Sequence, residues 1–254
     1  MALAVLFAGA AKGQAPSYSA ADIVNASNYA PAPFAPNSAL SLFGTNLAYS
    51  TESLTSDLIV GGKLPNQMAG VGVYVDGSLA PLLYVSPGQI NFLAPMTEIA
   101  GGALVTVVRQ GVTGPTVTIN LAAAAPQIFT YETGYPGYAI AEDWNSGYAV
   151  ITPDAPAHAG DVVILFATGL GAVAPSTASG ELAEYASSIV NAIAVTINGV
   201  ALAPSAILYA GLSPGSAGLY QINIVLPPNA GTDPAVQVSM GGQPSAAGCK
   251  LAVQ

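Results

Sequence analysis

The chain has 254 residues, enough for one large domain or two of ordinary size, and enough to bury a core without disulfides. Only 7% of the residues are charged, with Lys+Arg 4 against Asp+Glu 13 and a net charge of -9, where ordinary soluble domains carry about 25%. That balance leaves no cationic face for phosphates, which argues against nucleic-acid binding and against docking on anionic membranes, and a mean hydropathy of +0.54 argues against disorder.

Met1 to Ala11 is an apolar run shorter than the roughly 20 residues that span a bilayer. With Gly13-Gln14-Ala15 behind it, it reads as the apolar region and cleavage site of a signal peptide, or as an apolar strand donated to a neighbouring subunit. Residues 1–15 are therefore set apart, no transmembrane segment is expected, and the protein is expected to be secreted or held at the cell surface. Beyond this point Gly 28 and Pro 20 punctuate the chain too often for long helices. Between them lie alternating segments rich in Val, Ile, Thr and Tyr at 72–76, 103–108, 116–121, 161–166, 193–198, 220–225 and 235–239. Period two with β-branched residues predicts strands, so the fold class is all-β. From Glu181 the chain runs to Asn198 without Gly or Pro; its first half predicts a turn or two of helix and its second a strand ending at the hairpin dipeptide Asn198-Gly199.

An internal repeat organises the rest. Ala39 to Leu47, Val73 to Gly77, Ala80-Pro81, Tyr84 and Gln89 to Pro95 are followed in the same order by Val162 to Leu170, Val195 to Gly199, Ala203-Pro204, Tyr209 and Gln221 to Pro227. Two copies of one strand-rich unit predict two tandem immunoglobulin-like β-sandwich domains, at 16–130 and 131–254.

Five segments carry a more specific likeness. They are Ile23 to Tyr29, Leu42 to Leu47, Tyr84 to Asn91, Ala167 to Gly171, and Tyr209 to Gly215 with Gly218 to Asn223. Together they resemble the uncharacterised C-terminal domain family abundant in secreted proteins of Solibacter and other Acidobacteria, itself similar to immunoglobulin-like IPT/TIG domains. The resemblance implies a secreted two-domain protein and no particular activity.

The motifs that suggest chemistry fail on inspection. Gly169 to Ala174 fits a dinucleotide-binding pattern, but Pro175 follows where a helix must begin. Gly211-Leu-Ser-Pro-Gly215 fits a nucleophile elbow, but Pro214 has no N–H to offer an oxyanion, and the sole histidine, His158, precedes Ser213. One histidine and the single Cys249 are too few for a transition-metal site, and Cys249 can form only an intermolecular disulfide. Glu132, Glu142, Asp143, Asp154 and Asp161 gather near the domain boundary as a solvated acidic rim, with calcium as the one ion they would suit. No other cofactor is expected. The paired Gln-Ile-Asn motifs (Gln89, Asn91; Gln221, Asn223) are expected to satisfy the backbone of loops 86–88 and 213–215.

The candidate surface is therefore aromatic: Tyr131, Tyr135, Tyr138, Trp144 and Tyr148, suited to subunit contact, to glycan stacking, or to packing the two domains together. The sequence predicts no enzyme. It predicts a structural or interaction protein, a self-assembling filament or surface-layer subunit, with an adhesion module for glycans or surface proteins as the alternative.

Overall fold

The computed structural model describes residues 13–96, 100–131 and 137–254, and the expected leader or donated strand at Met1 to Ala11 lies outside them. In chain order the first half gives β1 (Ile23–Asn25), β2 (Ala39–Phe43), β3 (Glu52–Ser53), β4 (Val71–Val75), β5 (Ser78–Leu79), β6 (Leu82–Val85), β7 (Gln89–Leu93), β8 (Gly101–Arg109) and β9 (Val112–Leu121). The remainder gives β10 (Gln127–Ile128), β11 (Ala141–Asp143), β12 (Ala149–Val150), β13 (Val162–Thr168), β14 (Val173–Ala174), β15 (Ser187–Ile189), β16 (Ile193–Ile197), β17 (Val200–Ala201), β18 (Ile207–Leu212), β19 (Tyr220–Val225), β20 (Val236–Met240) and β21 (Gln243–Pro244).

Sheet β1-β2-β7-β6-β3 packs on sheet β5-β4-β8-β9, and sheet β12-β11-β13-β19-β18-β15-β14 packs on β17-β16-β20-β21, with β10 also paired to β13. Alternate side chains point to opposite faces of a strand, so the period-two segments fill the space between sheets. Leu40, Leu42, Ile90 and Phe92 meet Val73, Val75, Val105 and Val107 in the first core. Val163, Leu165, Ile222 and Ile224 meet Val195, Ile197, Val236 and Val238 in the second. These are two immunoglobulin-like β-sandwiches. Among the described residues no helix is long and apolar enough to cross a membrane.

The repeat extends to pairing register. Phe43 lies opposite Gln89 as Phe166 lies opposite Gln221, and in each unit a bulge precedes a tyrosine that sits opposite the motif asparagine, Tyr84 on Asn91 and Tyr209 on Asn223. The hairpins repeat as well: Asp76-Gly77 takes φ of 45° and 82°, and Asn198-Gly199 takes 50° and 77°. Two successive left-handed residues are what a type I′ hairpin turn requires.

Two expectations are corrected. Residues 181–187 do not turn into helix, because the backbone is committed elsewhere: Leu182 N–H donates to the Gly62 carbonyl at 2.8 Å and Ala183 N–H to that of Ser216 at 3.0 Å. Tertiary partners override the local helical preference. The Gln-Ile-Asn amides bond to each other, Gln89 Nε2 to Asn91 Oδ1 at 2.8 Å and Gln221 Nε2 to Asn223 Oδ1 at 3.1 Å, while the 86–88 loop is tied by Ser86 Oγ accepting from Gln89 N–H at 2.9 Å.

The sandwiches meet through Leu64 and Leu93, packed with Leu54, Ile59, Leu83, Phe129 and Leu182. Polar contacts reinforce this apolar seam. Ala39 N–H donates to Thr168 Oγ1 at 2.9 Å, and the buried Tyr220 hydroxyl accepts from Asn37 Nδ2 at 3.3 Å and donates to the Gly171 carbonyl at 2.5 Å. Burial pushes that hydroxyl up to about 12, so it stays a donor at any ordinary pH. Cys249 is buried in the second core, its thiol likewise pushed up to about 12, which closes it to partner thiols while the protein is folded.

The glycines of the dinucleotide-like pattern serve this junction. Gly169 (φ 77°) and Gly171 (φ 72°) let the backbone approach the Ala125 and Ala123 carbonyls, and a Cβ on Gly169 would collide with Ala125 O. Gly77 has a similar φ of 82° but open space around it. Gly77→Ala should therefore cost only the left-handed penalty of about 1 kcal/mol, and Gly169→Ala that penalty plus a backbone clash, about 3 kcal/mol. Thermal melts of the two variants check this; equal losses would remove the junction contact from the account.

Candidate functional site

The turn between β11 and β12 is Asp143-Trp-Asn-Ser-Gly147, a composition that bends the chain through side-chain bonds to its own backbone. Asp143 is 8% exposed; its Oδ1 accepts from Asn145 N–H at 2.8 Å and its Oδ2 from Ser146 Oγ at 2.6 Å. Asn145 Oδ1 in turn accepts from Val162 N–H at 2.7 Å, while Trp144 N–H donates to the Val162 carbonyl at 3.0 Å. The start of the turn is thus stitched twice to Val162 of the central strand β13.

This frame presents two rings. Trp144 is 50% exposed and Tyr148 52%, with centroids 5.2 Å apart and planes tilted by 56°. Tyr148 reaches its place at φ 65°, following Gly147 at 69°. A bulky residue in the left-handed region costs on the order of 1 kcal/mol and persists only where the surroundings fix it; here Tyr148 N–H donates to the Asp143 carbonyl at 2.9 Å. Val150, on the edge strand β12, extends the exposed apolar surface.

Tyr131 and Tyr138 form a separate pair, stacked at 5.9 Å and 12°. Tyr138 donates to Asp233 Oδ2 at 2.8 Å and lies under Lys250 Nζ, 6.0 Å from the ring centre. Tyr138 and Trp144 are six residues apart on a largely extended segment, about 20 Å at 3.3 Å per residue. The four described aromatic residues form two ring pairs, Tyr131 with Tyr138 and Trp144 with Tyr148, and Tyr135 lies outside the described residues. At the junction the packed ring is Phe129.

The carboxylates are dispersed. Asp143 is used by its own turn, Asp161 Oδ2 accepts from His158 N–H at 2.7 Å, and Glu132 lies outside the described residues. Among the described residues no three His, Cys, Asp or Glu side chains gather as a metal ion would need. His158 is exposed, with Asp161 at 3.6 Å and Gln254 Nε2 at 3.4 Å beside its ring, and Ser213 sits in a loop closed by its own N–H donating to the Leu219 carbonyl at 2.9 Å. A cleft of about 280 Å³ opens at the junction, lined by side chains such as Leu54, Leu93, Phe129 and Leu219 and by no titratable group. Stacking and hydrogen bonding are what these surfaces offer.

The sequence marked Trp144 and Tyr148 but not the residues that brace them, Asn145 and Ser146, although the Asp-x-Asn-Ser-Gly pattern of a tight turn was there to be read.

No family model matches the chain, and no curated protein matches it. Solved structures align with it over most of its length. The surface glycan-binding protein PbSGBP-B from Prevotella bryantii is 12% identical, over 92% of this chain and 41% of that one, with a TM-score of 0.28. The SGBP-B of a Bacteroides ovatus mixed-linkage glucan utilization locus, in complex with a mixed-linkage heptasaccharide, is 10% identical over 87% and 42%, with a TM-score of 0.34. The I9-I11 tandem from titin is 12% identical over 94% and 65%, with a TM-score of 0.25. The chain thus spans about two fifths of the length of those two glycan-binding proteins. TM-scores of this size carry no argument about what this chain binds.

Asp143→Ala removes the buried acceptor of two hydrogen bonds that hold an exposed turn, and a stability loss of about 1–3 kcal/mol is expected. Trp144 is the only tryptophan, so its fluorescence anisotropy should fall in the same variant; an unchanged value would mean that Asp143 does not hold the ring.

Proposed function

We propose that this chain is a non-catalytic extracellular binding module that takes glycan chains on the Trp144/Tyr148 surface. One observation carries the reading: two half-exposed rings stand at fixed spacing on a turn that holds Tyr148 in a strained left-handed conformation. A folding unit gains nothing from leaving such rings in water at that cost, whereas a binding surface gains rigidity, since less ordering entropy is lost on contact. A sugar ring offers apolar C–H faces to stack and hydroxyls to hydrogen-bond, and Trp and Tyr offer large faces with a polar tip.

The competing reading is self-assembly into a filament or surface layer. It is favoured by the exposed edge strand β12, where Ala149 and Val150 face solvent, on a chain too poor in charge to repel its own copies.

In affinity electrophoresis through a panel of polysaccharides, the wild-type chain should be retarded by at least one polymer. Trp144→Ala should weaken that retention at least tenfold. Tyr148→Gly should weaken it too while leaving the melting temperature equal or higher, because glycine relieves the left-handed backbone. Retention unaffected by either change, together with concentration-dependent growth in light scattering, would favour assembly instead.

A further inference from the structure

We infer that the Trp144/Tyr148 surface accepts uncharged glycans and rejects acidic ones; this deepens the reading proposed above and rests on it. The inference comes from where the ladder register puts charge. Glu142 pairs with Ile164 and Asp143 with Val163 of β13, and Trp144 continues that ladder, its N–H donating to the Val162 carbonyl at 3.0 Å. Successive residues of a ladder point to alternate faces. Glu142 therefore lies on the same face as Trp144, two residues and roughly 7 Å along the strand, and Tyr148 joins it through its ring contact with Trp144. Asp161 immediately precedes Val162, whose N–H and carbonyl hold the turn, and so brings a second carboxylate to the margin of the surface.

Among the described residues no Lys or Arg pairs with these two, and His158, 3.6 Å from Asp161, is a cation only when protonated. Among the described residues, Lys63 sits in the first sandwich, where its backbone bridges Val60 and Glu181. Arg109 is buried in that sandwich, its guanidinium donating to the carbonyls of Asn46 and Gln14 beneath the Tyr49 ring. Lys250 lies against Tyr138, six residues up the chain from Trp144. A carboxylate or sulfate on a sugar stacked on the Trp144/Tyr148 pair would meet Glu142, which no Lys or Arg of the described residues neutralises. Hydroxyls, in contrast, can donate to Glu142, so the carboxylate favours a neutral sugar and repels a uronate.

The experiment compares one polymer with itself. Hydroxyethylcellulose, soluble starch and glucomannan are each tested before and after oxidation of the C6 hydroxyl to a carboxylate, by affinity electrophoresis at low and high salt, with the wild-type chain, Glu142→Gln and Trp144→Ala. The expected result is retention by at least one neutral polymer, a loss of about tenfold on its oxidised form at low salt, and a smaller loss at high salt and in Glu142→Gln. Equal or stronger retention by an oxidised polymer, or a gap indifferent to both salt and Glu142→Gln, overturns the selectivity while leaving glycan binding in place. Absence of retention by every polymer, neutral or oxidised, overturns the binding reading and the selectivity with it.

Discussion

The main-chain ladder of β13 is the interaction from which the second sandwich and its candidate site both hang. Val162 to Ala167 pair with β19 on one side, and the other side is shared by β10 and β11. At one end Thr168 accepts from Ala39 of the first sandwich; at the other Val162 holds both Trp144 and Asn145 of the aromatic turn. One strand thus connects the junction to the turn. A rigid element of this kind fixes side chains more closely than a free loop can, and precise placement is what stacking recognition needs.

Charge poverty explains why the ladder carries so much. With 7% charged residues, the chain has little material for ion-pair networks, and the buried Arg109 spends its two terminal nitrogens on carbonyl oxygens beneath a tyrosine ring while its Nε is left without a partner. Backbone pairing and apolar burial remain. Both sandwiches share the same register, down to the bulge before Tyr84 and Tyr209, so the duplicated sequence records a duplicated solution to one packing problem. In the second copy β11 holds the place of β1, and β12 is added beyond it at the sheet edge, so that the exposed rings stand on the turn leading into that addition.

Much of the fold was legible because strand periodicity and hairpin dipeptides are local signals. Val73, Val75, Val195 and Ile197 alternate inward as their spacing predicts, and Asn198-Gly199 turns as its φ freedom allows. What failed was non-local. Residues 181–187 favour helix by themselves and were drawn into the junction by Gly62 and Ser216, which no local pattern encodes. The amides of Gln89 and Asn91 found each other two residues apart on one strand face, closer than the loops expected to need them. The aromatic residues marked between 131 and 148 are near in sequence, and the four that the structure describes form two ring pairs, Tyr131 with Tyr138 and Trp144 with Tyr148. The bracing role of Asn145 depends on Val162, seventeen residues further on, and appears only once β13 is in place.

The most direct test uses Trp144 as its own reporter, since it is the only tryptophan in the chain. Neutral oligosaccharides cut from a retained polymer are titrated against the protein while Trp144 emission and binding heat are followed together. The account predicts a saturable change in emission whose midpoint matches the calorimetric one. Saturable heat with unchanged emission would place the ligand elsewhere on the molecule and contradict it.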